Sequence, residues 1–195
     1  MSVNGSMEQR FAAPARLRDA HLHLAEHGRS LWSPSLAASR SLSEALAVGR
    51  RAAAGLGPQE WVIVSGAHAE SWPERRLPDV DELDRVGGGR PVVVNSFELH
   101  TLSCSHAALA AAGIDTDCLD PAHGTIVKRD GRPTGVLLED AAAWVRDSIP
   151  ARSDAQYRSD VLHGIEDLER YGYVELHEMM AEERLAQVLA ALERE

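Results

Sequence analysis

The chain has 195 residues, of which 44% are apolar and 26% charged, a composition typical of a globular protein with one sizeable core or at most two small domains. The net charge of −10 and the lack of a basic patch argue against a nucleic-acid partner, and no apolar run is long enough for a membrane span. Two cysteines are too few for a disulfide scaffold in so long a chain, so we expect a cytoplasmic protein with free thiols.

The N-terminal residues lack the apolar core of a secretory signal, and we interpret 1–16 as a leader or tag-like segment before the folded part, 17–195. Residues 16–24 alternate polar and apolar side chains, which predicts a strand. Apolar runs, periodicity and capping residues predict the other elements: strands at 61–64, 91–94 and 173–177, helices at 45–54, 79–86, 107–112, 140–147, 153–171 and 182–195, and a hairpin of 125–129 with 135–138 around Asp130-Gly131.

Strands that alternate with helices predict an α/β fold with a parallel sheet. A closed (β/α)₈ barrel typically takes about 250 residues. We therefore predict a partial (β/α)₈ TIM barrel, with an inserted hairpin and helix region at about 97–150.

Two histidines close the first predicted strand. His21 and His23 are two residues apart, so their imidazoles project from the same face and can converge on one metal ion. Zn²⁺ accepts such nitrogens at about 2.0–2.1 Å. A His-x-His pair is also common as surface or core histidines, and that alternative stays open on these residues alone.

Further candidate side chains stand at the ends of later predicted strands. His177 ends one strand, and Glu139 follows the apolar run of the hairpin, where a carboxylate could bind one metal or bridge two. His100 follows a polar and apolar stretch and could contact a substrate. The alternatives are a structural histidine for His177 and, for Glu139, a first-turn acid that stabilises a helix dipole.

Several stretches resemble one family of enzymes. Residues 19–23 (DAHLH) are similar to the first-strand metal motif of the metal-dependent amidohydrolase superfamily. The amidohydrolase-3 family, which includes the N-substituted formamide deformylase-like proteins, is resembled by the following stretches: 90–100 (RPVVVNSFELH), 107–114 (AALAAAGI), 124–127 (GTIV), 131–139 (GRPTGVLLE) and 172–178 (GYVELHE). Together they cover roughly 17–180, and they correspond to the N-terminal part of the family.

The resemblance implies a barrel of the metal-dependent hydrolase type and a hydrolase of C–N bonds, such as amides or formamides. It implies one or two divalent metal ions, with zinc expected. By the resemblance, His21 and His23 bind one metal, Glu139 takes the place that a carboxylated lysine holds in many relatives, His177 binds the second metal and His100 approaches the small-molecule substrate.

The family places another histidine ligand and a catalytic aspartate on later strands, so no catalytic acid or base is named among these 195 residues. We expect a truncated or shortened amidohydrolase with little activity alone. A non-catalytic metal-binding or structural remnant is the alternative. Because a partial barrel leaves open sheet edges, we also expect a homo-oligomer or a companion C-terminal half.

Overall fold

The computed structural model describes residues 16–179 and 182–194. The chain divides into two compact units, one formed by Met1–Trp32 with Arg152–Glu195 and the other by Ser33–Ala151. The leader predicted at 1–16 lies outside the described residues, apart from Arg16. In chain order the elements are β1 (Leu17–Leu22), α1 (Leu24–Ser30), α2 (Leu42–Ala54), β2 (Val62–Ala67), α3 (Val80–Gly87), β3 (Val92–Ser96), β4 (Thr101–Cys104), α4 (His106–Ala111), β5 (Gly124–Arg129), β6 (Arg132–Glu139), α5 (Asp140–Asp147), α6 (Asp154–Arg170), β7 (Tyr173–Glu178) and α7 (Glu183–Leu192).

The first unit consists of the parallel pair β1 and β7 with the helices α1, α6 and α7. Among the described residues, the buried side chains of its core are Leu24, Val161, Leu168 and Leu185. Helix α1 lies very close to α6, because each contributes a glycine at the contact. A Cβ on Gly28 would lie 1.8 Å from the carbonyl oxygen of Asp160, and one on Gly164 would lie 2.8 Å from that of Leu24.

The second unit contains a five-stranded sheet with the order β2-β3-β4-β6-β5. Strands β2 and β3 are parallel, whereas β4, β6 and β5 join by antiparallel pairing. The alternating side chains of β3 divide between two cores: Val92 and Val94 pack with residues of α2 and α3, and Val93 packs with residues of α4 and α5. Helices therefore cover both faces of this sheet.

Most predicted elements are confirmed, and their caps explain why. Ser41 accepts the N–H of Glu44 at the start of α2, and Ser153 forms a reciprocal capping box with Gln156 at the start of α6. Asp130 and Gly131 both have positive φ, 51° and 76°, as the tight turn of the predicted hairpin requires.

The structure differs from the prediction in its sheets. Sequence analysis did not predict strand β4 or helix α1. Strand β2 continues through Ser65 and Gly66 to Ala67, whereas the prediction ended it before Ser65. Because β4 returns antiparallel to β3 and pairs with β6, the predicted insertion continues the sheet of β2 and β3, which is mixed rather than all parallel. Neither sheet closes on itself among the described residues.

None of the helices in the described part of the chain is long and apolar enough to cross a bilayer. Both cysteines are free thiols, Cys104 buried and Cys118 partly exposed. Burial raises the pKa of the Cys104 thiol to about 12.

Candidate metal centre

The first unit brings two histidine-bearing strand ends side by side. Since β1 and β7 are parallel, their carboxyl ends lie at the same edge, and Leu22 is paired with Glu178 there. His23 directly follows this pair on one strand and His177 directly precedes it on the other. The pairing is irregular between Asp19 and Leu22, which shifts the register at the point where the histidines stand.

His21 and His23 contact each other through their rings. The ring centroids lie 5.6 Å apart with perpendicular planes, and both residues are exposed. The Asp19 carboxylate accepts the backbone N–H of His21 at 2.9 Å, so it holds the main chain rather than a histidine ring. The structure thus places the two histidine rings side by side, but among the described residues the ligand atoms of His21, His23 and His177 do not form a group within 4.8 Å of one another.

Glu178 orients the second of these histidines. Its carboxylate accepts the backbone N–H of Leu24 at 2.6 Å, and its Oε1 lies 3.3 Å from Nδ1 of His23. Because a carboxylate only accepts hydrogen bonds, Nδ1 carries the proton and Nε2 of the neutral ring carries the lone pair. Metal-binding histidines are commonly oriented in this way. Sequence reasoning assigned Glu178 no role, although its position directly after His177 at a strand end was a usable signal.

His177 has a different partner. Its Nε2 lies 3.1 Å from Oε1 of Glu175, whose other oxygen is 3.0 Å from Nε of Arg18. The same reasoning assigns the proton of His177 to Nε2 and the lone pair to Nδ1. The His177 side chain is 58% exposed, so this bond is readily exchanged for another partner.

The second unit brings His100 and Glu139 into direct contact. Nδ1 of His100 lies 2.9 Å from Oε2 of Glu139, and the backbone N–H of Glu139 donates to the carbonyl of His100 at 2.8 Å. The contact arises because β4 and β6 are antiparallel, so the start of β4 lies beside the end of β6. Both side chains are exposed.

Glu139 has an unusual backbone conformation. Its φ of 53° and ψ of −122° belong to a region that suits glycine, and it occupies the N-cap of α5 without a side-chain hydrogen bond to the helix. Because Glu139 stands at the N-cap of α5, its carboxylate also lies at the positive end of the helix dipole, so the alternative role as a dipole-stabilising acid stays open. Strained residues of this kind cluster at functional sites.

Arg146 of α5 holds the turn that precedes His100. Its guanidinium donates to the carbonyl of Leu99 and, at 3.3 Å, to Oδ1 of Asn95. Burial lowers the pKa of Arg146 from its usual value, although the group stays charged. His68 and Phe97 directly follow the parallel strands β2 and β3, so both lie at the carboxyl ends of these strands. Their rings stack with centroids 4.4 Å apart.

A third cluster lies on α3 and α4. Among the described residues, Asp81, Asp84 and His106 have ligand-type atoms that all lie within 4.8 Å of one another, a group that sequence reasoning did not identify. Asp84 accepts both the backbone N–H of His106 at 2.9 Å and its Nδ1 at 2.7 Å. These bonds cap the N-terminus of α4, which gives Asp84 a structural role.

Comparison with known proteins yields a consistent set of relatives. The family model described as "Amidohydrolase family" matches residues 8–194. The chain is 33% identical over 138 residues to "Putative amidohydrolase YtcJ" of Bacillus subtilis (strain 168), covering 68% of this chain and 25% of that protein. It is 27% identical over 165 residues to "Protein LONG AFTER FAR-RED 3" of Arabidopsis thaliana, covering 82% of this chain and 28% of the relative.

Two solved structures share the fold. Both are titled uncharacterized metal-dependent hydrolases, from Pyrococcus horikoshii OT3 and Pyrococcus furiosus, with TM-scores of 0.65 and 0.64 and identities of 23% and 22%. Each comparison covers 92% of this chain but only 34% and 35% of the respective structure. The chain thus spans about a third of these structures and 25% and 28% of the curated relatives.

Proposed function

This chain belongs to the amidohydrolase family, and we propose from that premise that it supplies metal ligands for the hydrolysis of C–N bonds in small amides or formamides. The observation that carries the proposal is the shared edge of β1 and β7. There His21, His23 and His177 stand on two adjacent parallel strands, and Glu178 holds the ring of His23.

The donor chemistry of this edge fits a zinc ion. His23 offers Nε2 and His177 offers Nδ1, because in each ring the other nitrogen faces a carboxylate. The His21 ring lies beside that of His23. Neutral imidazole nitrogens of this kind are the ligands that Zn²⁺ prefers, and when bound the ion lowers the pKa of a water ligand towards 7 and polarises a carbonyl group.

The protein's own contribution at this edge is orientation. Glu178 fixes His23 through a bond to the ring and fixes the start of α1 through the N–H of Leu24. Removing this carboxylate would free the ring to rotate and to exchange tautomers. Outer partners of metal-binding histidines typically contribute about 10–100-fold to metal affinity.

We assign Glu139 as a carboxylate ligand and His100 as a substrate contact. Support for Glu139 comes from its exposed carboxylate, its strained backbone and the absence of a capping bond. Support for His100 comes from its bond to that carboxylate and from the Arg146 contact that holds the preceding turn. A histidine placed beside an acidic group can donate to or accept from a substrate amide.

The alternative is a metal-binding or structural remnant without turnover. Both proposals require the same metal ligands. They differ only in whether the chain alone cleaves an amide.

Zinc binding tests what the two proposals share. Equilibrium dialysis of the full chain should retain about one or two equivalents of zinc, and the His21→Ala/His23→Ala variant should lose at least one of them. His123→Ala is the matched control, since the His123 side chain is exposed and makes no hydrogen bond, ion pair or ring contact with the described residues. His106→Ala tests the acidic cluster of α3 and α4 and should leave the zinc content unchanged. Full zinc retention by the His21→Ala/His23→Ala variant would refute the assignment of these histidines as metal ligands.

Hydrolysis of a chromogenic anilide or formanilide separates enzyme from remnant. We expect little or no turnover from this chain alone. Turnover that disappears in the His21→Ala/His23→Ala variant would assign the activity to the chain, whereas zinc binding without turnover would assign the remnant.

We further propose that the fold is a partial (β/α)₈ barrel that associates with another segment or another copy. In the described residues, β1 and β7 each pair with one strand only, which leaves their outer edges open. A monomer in light scattering, with no tendency to associate, would count against this proposal. The free thiols of Cys104 and Cys118 suit the reducing cytoplasm that we assign to the protein.

A further inference from the structure

A cavity of about 480 Å³ lies within the second unit, and none of its lining residues is a histidine. This volume is within the range of about 300–1,000 Å³ that is typical of small-molecule sites. Its floor is the sheet face that presents Thr101, Val127 and Val136. The alternate residues of the same strands, Leu102, Ile126 and Leu137, lie in the core on the other face.

The wall of the cavity is the loop between β2 and α3, and this loop is well anchored. Trp72 is 1% exposed and its indole donates to the carbonyl of Ser39 at 2.9 Å. Leu77 is buried in the same core and lines the cavity. Between these anchors Arg75 has a φ of 50°, a left-handed conformation that a loop fixed at both sides can impose. The loop thus holds its arginines at the cavity.

Three acidic groups line the cavity, Glu70, Asp79 and Glu98, and each has a partner. The Oε1 of Glu70 lies 3.7 Å from Nδ1 of His68. Asp79 accepts the N–H of Glu82 in the capping box of α3. Burial raises the pKa of Glu98, but hydrogen bonds from Ser96, from its own backbone and from Thr101 outweigh this effect, so the pKa lies below its usual value.

The arginines of the lining differ in this respect. Arg76 forms a bidentate pair with Glu82 at 2.7 and 2.9 Å. Arg75 and Arg129 line the same cavity but form no ion pair with any described residue. The cavity therefore combines two available guanidinium groups with apolar surface from Leu77, Val127 and Val136.

We propose that this cavity binds a small molecule with an apolar body and a carboxylate group, with the carboxylate held by Arg75 and Arg129. Guanidinium groups present paired N–H donors that match a carboxylate, and the apolar floor would take the hydrocarbon part of the ligand. The site can be tested apart from the proposed metal centre, because none of the residues that line the cavity is a proposed metal ligand.

The test uses 4-phenylbutyrate as the probe and 4-phenyl-1-butanol as its uncharged counterpart. Each is titrated into the ¹⁵N-labelled full chain without added metal, and backbone amide shifts are followed by NMR. We expect 4-phenylbutyrate to shift the amides of Thr101, Val127 and Val136, and the alcohol to bind at least about tenfold more weakly, as the loss of a charge-assisted hydrogen bond implies.

Two variants assign the effect to the arginines. Arg75→Gln/Arg129→Gln should weaken 4-phenylbutyrate binding by about tenfold or more. Arg50→Gln/Arg51→Gln removes the same charge from an exposed stretch of α2 and should leave the affinity within about twofold. Circular dichroism checks that both variants fold.

Three results would overturn the proposal: no shift of these amides up to about 10 mM probe, equal affinity for the acid and the alcohol, or equal losses in the two variants. Because no metal is added, failure here leaves the zinc result untouched, and failure of the zinc assay leaves this result untouched.

Discussion

Replacing Glu139 by glycine should preserve or increase the stability of the second unit while it removes a proposed metal ligand. Glu139 has a φ of 53° and a ψ of −122°, a conformation in which a Cβ is sterically unfavourable and which glycine adopts without strain. Its side chain contributes little to the fold, because it makes no capping bond to α5 and its contact with His100 is exposed. Glu139 therefore lowers the stability of the second unit while it places an exposed carboxylate at a strand end.

The magnitude follows from three contributions. A non-glycine residue held in such a region destabilises the fold by about 1–3 kcal/mol, a cost that glycine avoids. Glycine in turn lowers stability by about 0.5–1 kcal/mol relative to alanine, because it gives the unfolded chain greater freedom. The exposed pair with His100 contributes about 0–1 kcal/mol. Comparison of Glu139→Gly with Glu139→Ala isolates the backbone, since both variants lack the carboxylate, and glycine should be more stable by about 1 kcal/mol.

Urea unfolding followed by tryptophan fluorescence measures the difference. The chain has four tryptophans, and a Trp32→Phe background leaves the signal to three residues of the second unit: Trp61, Trp72 and Trp144. A difference of about 1 kcal/mol corresponds to a midpoint shift of roughly 0.5–1 M urea. If Glu139→Gly is as unstable as Glu139→Ala, or less stable, backbone strain at Glu139 is refuted.

Three further perturbations test the packing, the buried thiol and a helix cap. Gly28→Ala should destabilise the first unit by about 1–3 kcal/mol in thermal unfolding, because the new Cβ would lie 1.8 Å from a backbone oxygen. The control Gly55→Ala places its Cβ no closer than 3.8 Å to another atom and should change stability by less than about 0.5 kcal/mol. Equal effects of the two variants would contradict the close contact between α1 and α6. A thiol reagent at pH 8 should label Cys118 and spare Cys104, and rapid labelling of both thiols would contradict the burial of Cys104. Burial raises the pKa of Cys104 from 9.0 to about 12. The folded state should therefore lose stability as the pH rises from 9 towards 12, and Cys104→Ala should remove this contribution to the loss. Asp79→Ala breaks the capping box of α3 and should lower the free energy of unfolding by about 1 kcal/mol in urea titrations, and an unchanged midpoint would show that the box contributes nothing.

Local chemistry explains which parts of the fold were predictable. Ser41 and Ser153 begin helices because a hydroxyl can accept an N–H three residues later, a relation that is visible within four letters of sequence. The turn at Asp130 and Gly131 is equally local. Strand β4 was missed because it has only four residues, Thr101–Cys104, too few for the alternation of polar and apolar side chains to stand out. Its place in the sheet depends on pairing with β3 and β6, which propensity does not encode.

The candidate site divides in the same way. The histidine positions could be read from the sequence because they stand at strand ends, and the resemblance to the amidohydrolases gave them roles. The contact of His23 with Glu178 could not be read, because the two residues are 155 positions apart and meet only when β1 pairs with β7. The contact of His106 with Asp84, across two helices, is another product of tertiary packing.

Histidine ring nitrogens report metal binding most directly. In a ¹⁵N-labelled full chain titrated with zinc, the ring nitrogens of His21, His23 and His177 should shift together and saturate at the metal equivalence found by dialysis. The rings of His106 and His123 should not change. Saturating shifts at His106 with His21 and His23 unaffected would contradict a metal centre at the edge of β1 and β7.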